Sequence, residues 1–519
     1  MADGCAFNLI DDPVFHIEAV TGERRWLSLP EVFAAIAEGE KLEFTGLQAH
    51  QMHAWHAFMC QLAAIALHRA RSCRMDCFEP AAWRDLILAL TEGRAEPWCL
   101  VVENLARPAF LQPPVPEGSL AGFKKETSHP DMLDLLVTSR NHDVKCGRVR
   151  QPRPEHWVYG LVSGQTMEGF AGKNNYGIVR MNGGYGNRAG ISAAAADDWS
   201  IRFRRDTAVL LETRENTAQA FGYPTKNGLA LQWLAPWDGN SSLRLDECDP
   251  FFIEICRRIR LSQAPTLIAA KYTGTAKRRV DCGETKGNVG DPWMPIKRED
   301  SACYTAKDLS YAKLQEVLFG ADFQPSAASI VRPEDGQTPV LLAKVLVGGQ
   351  GGTEGYHDRT IPCRSTARRL LGSVDGRQQL GALAKQRVEL VATVRNSVLR
   401  PAILALIQGA PANLNLKDKR ADPLARKLDL KVDGKFFVAL FDDIDRDPGE
   451  AMHDWIETIL AFAREILDEA IASTPIPTVR RYRAISAADT IFYRAARKKF
   501  PDNFPPNKKE TNEDYGPSQ

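Results

Sequence analysis

Gln378-Gln-Leu-Gly-Ala-Leu-Ala-Lys-Gln-Arg-Val-Glu-Leu-Val-Ala-Thr-Val-Arg-Asn-Ser-Val-Leu-Arg-Pro-Ala-Ile-Leu-Ala-Leu-Ile407 is rich in Ala, Leu, Arg and Glu at helical period. It marks where the character of this 519-residue chain changes. Three further stretches of the same kind follow, at 423–444, 448–473 and 485–499. Gly409-Ala-Pro-Ala-Asn413, Asp445-Arg-Asp-Pro448 and Pro475-Ile-Pro477 separate them. Four helices with short connections predict an antiparallel four-helix bundle over 364–500. The polar, Pro- and Lys-rich residues 501–519 read as a disordered tail.

Working back from the bundle, residues 1–363 read as a mixed α/β domain, so the fold class is α+β. Val14-Phe-His-Ile-Glu-Ala19 alternates loosely and Thr21-Gly22 is a turn. Ser28 can cap a helix whose first turn accommodates Pro30. Residues 48–70 form a long helical pattern with Trp55, Phe58, Met59, Leu62, Ile65 and Leu67 concentrated on one side, and 81–91 suggest another helix. From about 110 to 240, strands, glycine-rich loops and aromatics dominate. Ala208-Val-Leu-Leu211 and Leu229-Ala-Leu-Gln-Trp-Leu234 are strand candidates, and Pro250 is expected to start a short helix at 251–260.

Composition excludes several classes. Hydrophobic residues make up 44% and charged residues 25%, as in folded globular proteins. Lys+Arg 66 against Asp+Glu 65 leaves a net charge of +1, which excludes a small, uniformly basic DNA-binding module. The first ten residues lack a basic region followed by an apolar one, so a cytoplasmic location is expected. The apolar stretch 399–410 is interrupted by Arg400 and is shorter than the ~20 residues a spanning helix needs. Eleven scattered cysteines form no C-x-x-C pair and read as reduced, mostly buried thiols.

Two glycine-rich segments carry the chemistry. Lys173-Asn-Asn-Tyr-Gly-Ile-Val-Arg-Met-Asn-Gly-Gly-Tyr-Gly-Asn-Arg188 sets Gly177, Gly183, Gly184 and Gly186 among Lys173, Arg180 and Arg188, with Asn174, Asn175 and Asn182 alongside. Glycine lets a backbone approach a phosphate or base edge, guanidinium groups hold phosphates, and Asn or Tyr can reach bases or stack. No Gly-Lys-Ser/Thr ends the segment, so it is not a P-loop; a structural hairpin turn is the alternative. The second, Val347-Gly-Gly-Gln-Gly-Gly-Thr-Glu-Gly-Tyr-His357, follows the strand-like 340–346 and could enter a groove or be a plain surface hairpin. Residues 257–286 hold eight Lys/Arg against two acids, and 359–400 hold nine against Asp375 and Glu389. The second run directly follows the second glycine segment, and the two runs together suggest a basic strip, although solvated helix faces would give the same pattern.

His50-x-x-His53-x-x-His56 invites a metal reading, but no neighbouring Cys or carboxylate in the sequence completes a ligand shell. Asn141-His142-Asp143 lacks the partner histidines of a nuclease site. No nucleophile elbow, H-E-x-x-H or Walker motif occurs, so neither a catalytic residue nor a cofactor is assigned. The alternatives are a metal-dependent nuclease or deaminase using His50, His53, His142 or His156, and a scaffold that does not touch DNA.

The order of these features resembles CasA, the large subunit of the type I-E CRISPR Cascade complex. Asn8-Leu-Ile-Asp-Asp-Pro13 and Trp26-Leu-Ser-Leu-Pro-Glu-Val32 are similar to the family's opening, with Val14-Phe15 where a tryptophan would stand. Pro108-Ala-Phe-Leu-Gln112 resembles its P-F-x-Q segment. Residues 135–145 are similar in place to the loop that meets the guide RNA and backbone subunits, which implies that role for Arg140, Asn141, His142 and Lys145. The resemblance implies a non-catalytic protein that reads the protospacer-adjacent motif (PAM) in double-stranded DNA, helps open the duplex for guide pairing and docks a helicase-nuclease. Its implied partners are the backbone, small and guide-end-capping subunits, guide RNA and target DNA, with no membrane. Residues 173–188 would then lie on the minor groove. Gly348, Gly349, Gln350, Gly351, Gly352, Thr353, Glu354 and Tyr356 would form a wedge beneath the PAM. Thr353-Glu354 stand where the family often has glutamine, and a carboxylate is unfavourable in a minor groove, which leaves Gln350 or Tyr356 to insert. Lys277, Arg278, Arg279 and Lys286 are candidates for the family's PAM-contacting lysine. The paired cysteines of some relatives are missing, so no zinc site is carried over.

Overall fold

All residues from His53 to Leu67 of the helix Met52–Arg69 are buried. A helix apolar all round belongs inside a core, so the one-sided burial expected for this segment is replaced by burial on every face. Its Trp55 ring lies 5.2–5.8 Å from those of Phe15, Phe44, Phe58 and Tyr159. This aromatic cluster ties the helix to the strands Phe15–Ala19 and Leu42–Phe44 and to the helix Pro154–Thr166. These relations come from a computed structural model, which describes residues 4–72, 79–134, 149–167, 188–264, 267–349 and 352–504. The chain separates into two compact units, Met1–Leu309 with Val317–Gly372, and Ser310–Glu316 with Ser373–Gln519. The division falls after the helix Ser365–Leu371 rather than at 363/364.

In the first unit the strand Phe15–Ala19 lies between Arg24–Leu27 and Leu42–Phe44, both antiparallel to it. Glu31 accepts the backbone N–H of Ser28 at 2.7 Å and its hydroxyl at 2.8 Å, starting the helix Leu29–Glu38. Gly39, in the left-handed region at φ 104°, ends it. Two local expectations fail. Residues 208–211 lie inside the helix Trp199–Phe221, capped by Asp198, whose carboxylate accepts from Ser200 and Ile201. A four-residue Val/Leu run cannot set its own structure within so long a helix. The helix expected at 251–260 is instead the end of the strand Cys248–Ile253 and the start of Arg258–Ala264. Cys248–Ile253 pairs in parallel with Leu229–Leu231 in a two-stranded sheet, where Pro250 costs no central ladder bond.

The second unit is helical. Val374–Thr393 continues through a π-helical turn, Val394–Leu399, into Arg400–Gln408. The wider turn precedes Pro401, whose ring would clash with a regular helical carbonyl four residues back. The apolar stretch at 399–410 is thus the end of a longer helix. By length and composition Val374–Gln408 could cross a membrane, but half of its apolar window is buried, as in the core helix of a bundle. The second predicted helix is broken into Asp422–Ala425, Lys427–Asp433 and Phe436–Asp442. Pro448–Ser473 follows, then Thr478–Lys499, which starts ahead of the expected position and buries the narrow stripe Ala484, Ala488, Phe492 and Ala496. Arg387 is buried with its Nη2 2.6 Å from Asp443 and its guanidinium over the Trp455 ring.

Backbone packing offers a direct test. A Cβ on Gly228 would sit 2.6 Å from the carbonyl oxygen of Cys248 and 2.8 Å from the nitrogen of Asp249, neither of which can swing away. Gly228→Ala is expected to lower stability by about 1–3 kcal/mol, whereas Gly122→Ala, which meets nothing within 4 Å, stays within about 0.5 kcal/mol. Urea unfolding of the two variants checks the contrast.

Candidate nucleic-acid interface

The two glycine-rich segments, more than 150 residues apart in sequence, are rooted in one sheet. Val340–Gly349 is its middle strand, flanked by Gly352–Pro362 and Gly190–Ala194, both antiparallel. Gly190 pairs with Lys344, so the middle strand runs on beyond the end of the pairing with Gly190–Ala194. It continues with its hairpin partner through Leu346↔Tyr356 and Val347↔Gly355, shifts register, and closes at Gly348↔Thr353 and Gly349↔Gly352. The second glycine segment therefore belongs to the end of a β-hairpin, and Gln350 and Gly351 lie outside the described residues. Lys173, Asn174, Asn175, Arg180, Asn182, Gly183, Gly184 and Gly186 also lie outside them, as do Arg140, Asn141, His142 and Lys145. The flanks of the first segment are described: Met167 and Arg188 both line a cavity of about 20 Å³ beside the sheet, together with His53, Arg202, Trp293 and Lys344. That is room for one water-sized group.

The hairpin's base is held by charge. Lys344, buried, has its Nζ 2.9 and 2.8 Å from the two oxygens of Asp358, its neighbour across the strands, and 3.5 Å from Asp197. Asp197 accepts from Arg202 at 3.0 Å and from the Thr360 hydroxyl at 3.2 Å. Burial pushes its carboxyl up, but Arg202 and Lys344 outweigh that and hold it below its usual range. Tyr356 lies with its ring 5.9 Å from that of His53 and its hydroxyl 3.3 Å from Asp358. It is committed to the hairpin's base rather than to its turn.

The histidine motif serves this packing. His50 Nε2 lies 2.7 Å from Asp134, and His56 Nε2 lies 2.9 Å from Asp206, which also accepts from Trp293 at 2.8 Å. The carboxylates missing from the local sequence are thus supplied from 84 and 150 residues away, one to each histidine. Among the described residues no group of three His, Cys, Asp or Glu is disposed to hold a metal ion. Gln48 and Gln51 donate to Asp131 and Asp134, and Asp131 also accepts from the backbone N–H of Val149. The two flanks of residues 135–148 are therefore fixed at one place, the start of the central helix. His156 accepts the N–H of Arg153 through Nδ1 at 2.9 Å, in the first turn of its helix.

The basic candidates separate clearly. Arg188 is 1% exposed, between Glu254 at 3.4 Å and Asp291 at 2.5 Å, so its guanidinium neutralises internal acids and does not face solvent. Arg279 is buried over the Trp237 ring and donates to the carbonyls of Gln232, Ala235 and Pro236. Lys277 is exposed and Arg278 half-buried in a shallow depression with Arg244 and Asp281. Lys286 is exposed, at φ 51°, with Nζ 3.1 Å from Asp300. Its carbonyl accepts from Cys303, two residues before Thr305, which bridges to Arg188. Among these basic residues it is Lys286 that the backbone bonds tie to the root of the first glycine segment. The expected basic strip is not continuous, because Arg258, Arg260, Arg279 and Arg387 are all buried.

This architecture has counterparts of known structure. It aligns with Cse1 from Acidimicrobium ferrooxidans at TM-score 0.63 and 14% identity, covering 96% of this chain and 99% of that one. The fold is that of Cse1. Thermobifida fusca Cse1 aligns at TM-score 0.62 and 16% identity over 96% and 99%, and Thermus thermophilus CasA (Cse1) at 0.60 and 13% over 95% and 99%. A chain of a CRISPR RNA-guided surveillance complex aligns at 0.58 and 13% over 94% and 100%. No protein-family profile matches the sequence, and no curated protein matches it. The Cse1 fold is thus reached here through a sequence that shares few residues with those proteins. What sequence reasoning missed is the clasp that holds the hairpin, Lys344, Asp358, Asp197 and Arg202; apart from the strand-like run at 340–346, nothing local announced it.

His53 has both ring nitrogens buried without a hydrogen-bond partner among the described residues. Burial, reinforced by Arg188 and Lys344, lowers its pKa to about 3. Burial and Arg202 also lower that of His56, against the opposing pull of Asp206. Below pH 6.5 the unfolded chain therefore takes up protons that the folded chain refuses. The stability contributed is whole above pH 6.5 and is lost as pH falls towards 3. For His53 the loss at pH 5 is about 2 kcal/mol. Urea unfolding at pH 7 and pH 5 should show His53→Phe losing less on acidification than the parent by that amount.

Proposed function

We propose that this chain is the non-catalytic large subunit of a type I-E Cascade complex, reading a PAM in duplex DNA and starting the strand separation that lets guide RNA pair. The observation that carries the reading is the common root of the two glycine-rich segments at the Gly190–Lys344 pair. A narrow, glycine-rich hairpin end beside a second glycine-rich segment suits a minor groove, where bulk is excluded and readout is largely A·T against G·C. The role of the hairpin is to unstack the base pair beneath the PAM, at a cost of a few kcal/mol. With Tyr356 held at the base and Glu354 disfavoured by its charge, Gln350 is the wedge. Lys286 is the basic contact that accompanies the first segment. Residues 135–145 meet guide RNA and the backbone subunits, and the helicase-nuclease docks once the duplex is open. Such a protein works in the cytoplasm, inside its complex.

Target binding by the assembled complex tests this. Replacing Gly183 and Gly184 by Trp should abolish PAM-dependent binding, and Lys286→Ala should weaken it about tenfold while reducing the salt slope by about one. Gln350→Ala should leave initial binding intact and slow strand opening, read by fluorescence of a base analogue beside the PAM. Unchanged affinity and PAM preference in the glycine variant would favour a scaffold that does not touch DNA. Cleavage of DNA by the isolated chain with Mg²⁺, Mn²⁺ or Zn²⁺, abolished by His142→Ala, would overturn the non-catalytic assignment.

A further inference from the structure

The last helix of the second unit, Thr478–Lys499, is basic on its solvent face from one end to the other. Opposite the buried stripe of Ala484, Ala488, Phe492 and Ala496, the side chains of Arg480, Arg483, Arg494, Arg497, Lys498 and Lys499 are exposed, and none of the six is in an ion pair among the described residues. The helix has one acid, Asp489, and Arg464 of the preceding helix holds it at 2.6 Å. Lys427 and Arg446, exposed on the same unit, do find acids, Glu469 at 3.1 Å and Asp454 at 2.5 Å. Helix stability gives no reason for the difference. Arg480 and Arg481 stand in a first turn that holds no acid, where the positive end of the helix dipole disfavours cations. Arg494 and Lys498, four apart, repel each other. Only the last turn, with Arg497, Lys498 and Lys499, places its charge where the dipole favours it.

Two aromatic rings share this face. Tyr482 is 83% exposed and Tyr493 43% exposed, and each is followed by an exposed arginine. Tyr482-Arg483 and Tyr493-Arg494 are eleven residues apart. Eleven residues make close to three helical turns, so the two pairs point the same way, about 16 Å apart along the axis. Ser486 and Thr490 lie exposed between them. A row of unneutralised cations calls for a polyanion, and the rings distinguish which kind. An acidic protein surface would meet the cations and leave both rings in water. A nucleic-acid strand can stack a base on each ring while its phosphate takes the neighbouring guanidinium. A duplex keeps its base faces covered, which leaves the single strand as the match.

We propose that this helix face binds a single strand of nucleic acid without regard to sequence, each Tyr-Arg pair taking one base and one phosphate. DNA and RNA serve alike, because base faces and phosphates are common to both. The site uses no residue of the PAM reading, so it stands or falls apart from it.

Fluorescence anisotropy of labelled oligothymidylate with the full chain at low salt tests this, in a strand longer than the about 4–16 nucleotides that such sites cover. Saturable binding is expected, matched by oligouridylate and about tenfold weaker for duplex DNA and for polyglutamate. Arg483→Ala combined with Arg494→Ala should weaken binding about tenfold and lower the salt slope by about 1.4. Tyr482→Leu combined with Tyr493→Leu, which keeps an apolar contact with Phe492, should weaken it about tenfold and leave the salt slope unchanged. Both variants change only exposed side chains and should melt with the parent. No binding, equal binding of duplex or polyglutamate, a preference above about tenfold for DNA or for RNA, or tyrosine variants that bind as the parent does would each overturn the proposal. So would binding that survives loss of the two arginines and disappears with Lys286→Ala, since it would then belong to the first unit.

Discussion

A helix whose core length has no solvent face must find a partner within the protein for every polar group buried there, and Met52–Arg69 with its preceding turn carries three buried histidines, His50, His53 and His56. A buried polar group left unsatisfied costs about 1–3 kcal/mol, so each histidine constrains what may pack against it. Spaced three apart, they point in three directions. His50 meets Asp134 at the edge of residues 135–148, His53 meets Tyr356 on the glycine hairpin, and His56 meets Asp206 on the long helix. One buried helix thereby fixes the relative positions of the elements that flank all the candidate contact segments of the first unit. His53 pays most, since no hydrogen bond compensates its burial, and it stays neutral as a result.

The need for such a frame follows from glycine. A glycine-rich segment has few side chains with which to pack and loses more conformational freedom on ordering than any other sequence. Whatever order it has must be imposed at its ends. For the hairpin this is done by a cross-strand Lys344–Asp358 pair continued through Asp197 to Arg202, a chain of alternating charges from strand to helix terminus. For the first segment it is done by Arg188 between two acids. Charges that a sequence reading assigns to phosphate are here spent on rigidity.

That division explains how far the sequence could be read. The C-terminal helices were legible because their period, caps and Pro/Gly breaks are local signals, and the break within 423–444 was missed because its three short helices share one continuous composition. The motifs at Asn8 and Gln112 were legible as text, and the structure gives them work: Asn8 organises a turn with Asp11 and Asp12, and Gln112 bridges Leu100 to Leu261. The acids facing His50 and His56 were not legible, because pairing across 84 and 150 residues leaves no spacing to recognise. Arg188 illustrates the same limit. Beside four glycines an arginine suggests a phosphate contact, and only the fold brings Glu254 and Asp291 to it.

The fate of the arginines also bears on how such a chain could hold DNA. Affinity from phosphate contacts grows with the number of phosphates neutralised, each adding about 0.9 to the salt slope. Of the basic run at 257–286, Arg258, Arg260 and Arg279 are buried, which leaves Lys277 and Lys286 as its exposed cations beside the half-buried Arg257, Lys271 and Arg278. Two fully exposed cations give a weak hold against salt at physiological strength. On the proposed reading, a protein so arranged would discriminate through shape, by what its glycine-rich segments admit to a groove, while the bulk of its affinity came from its complex. The near-zero net charge and the internal use of arginine then have one cause. On that reading, a subunit that borrows binding energy from its complex gains more from discrimination by shape than from a strong field, since a field would hold it to every sequence alike.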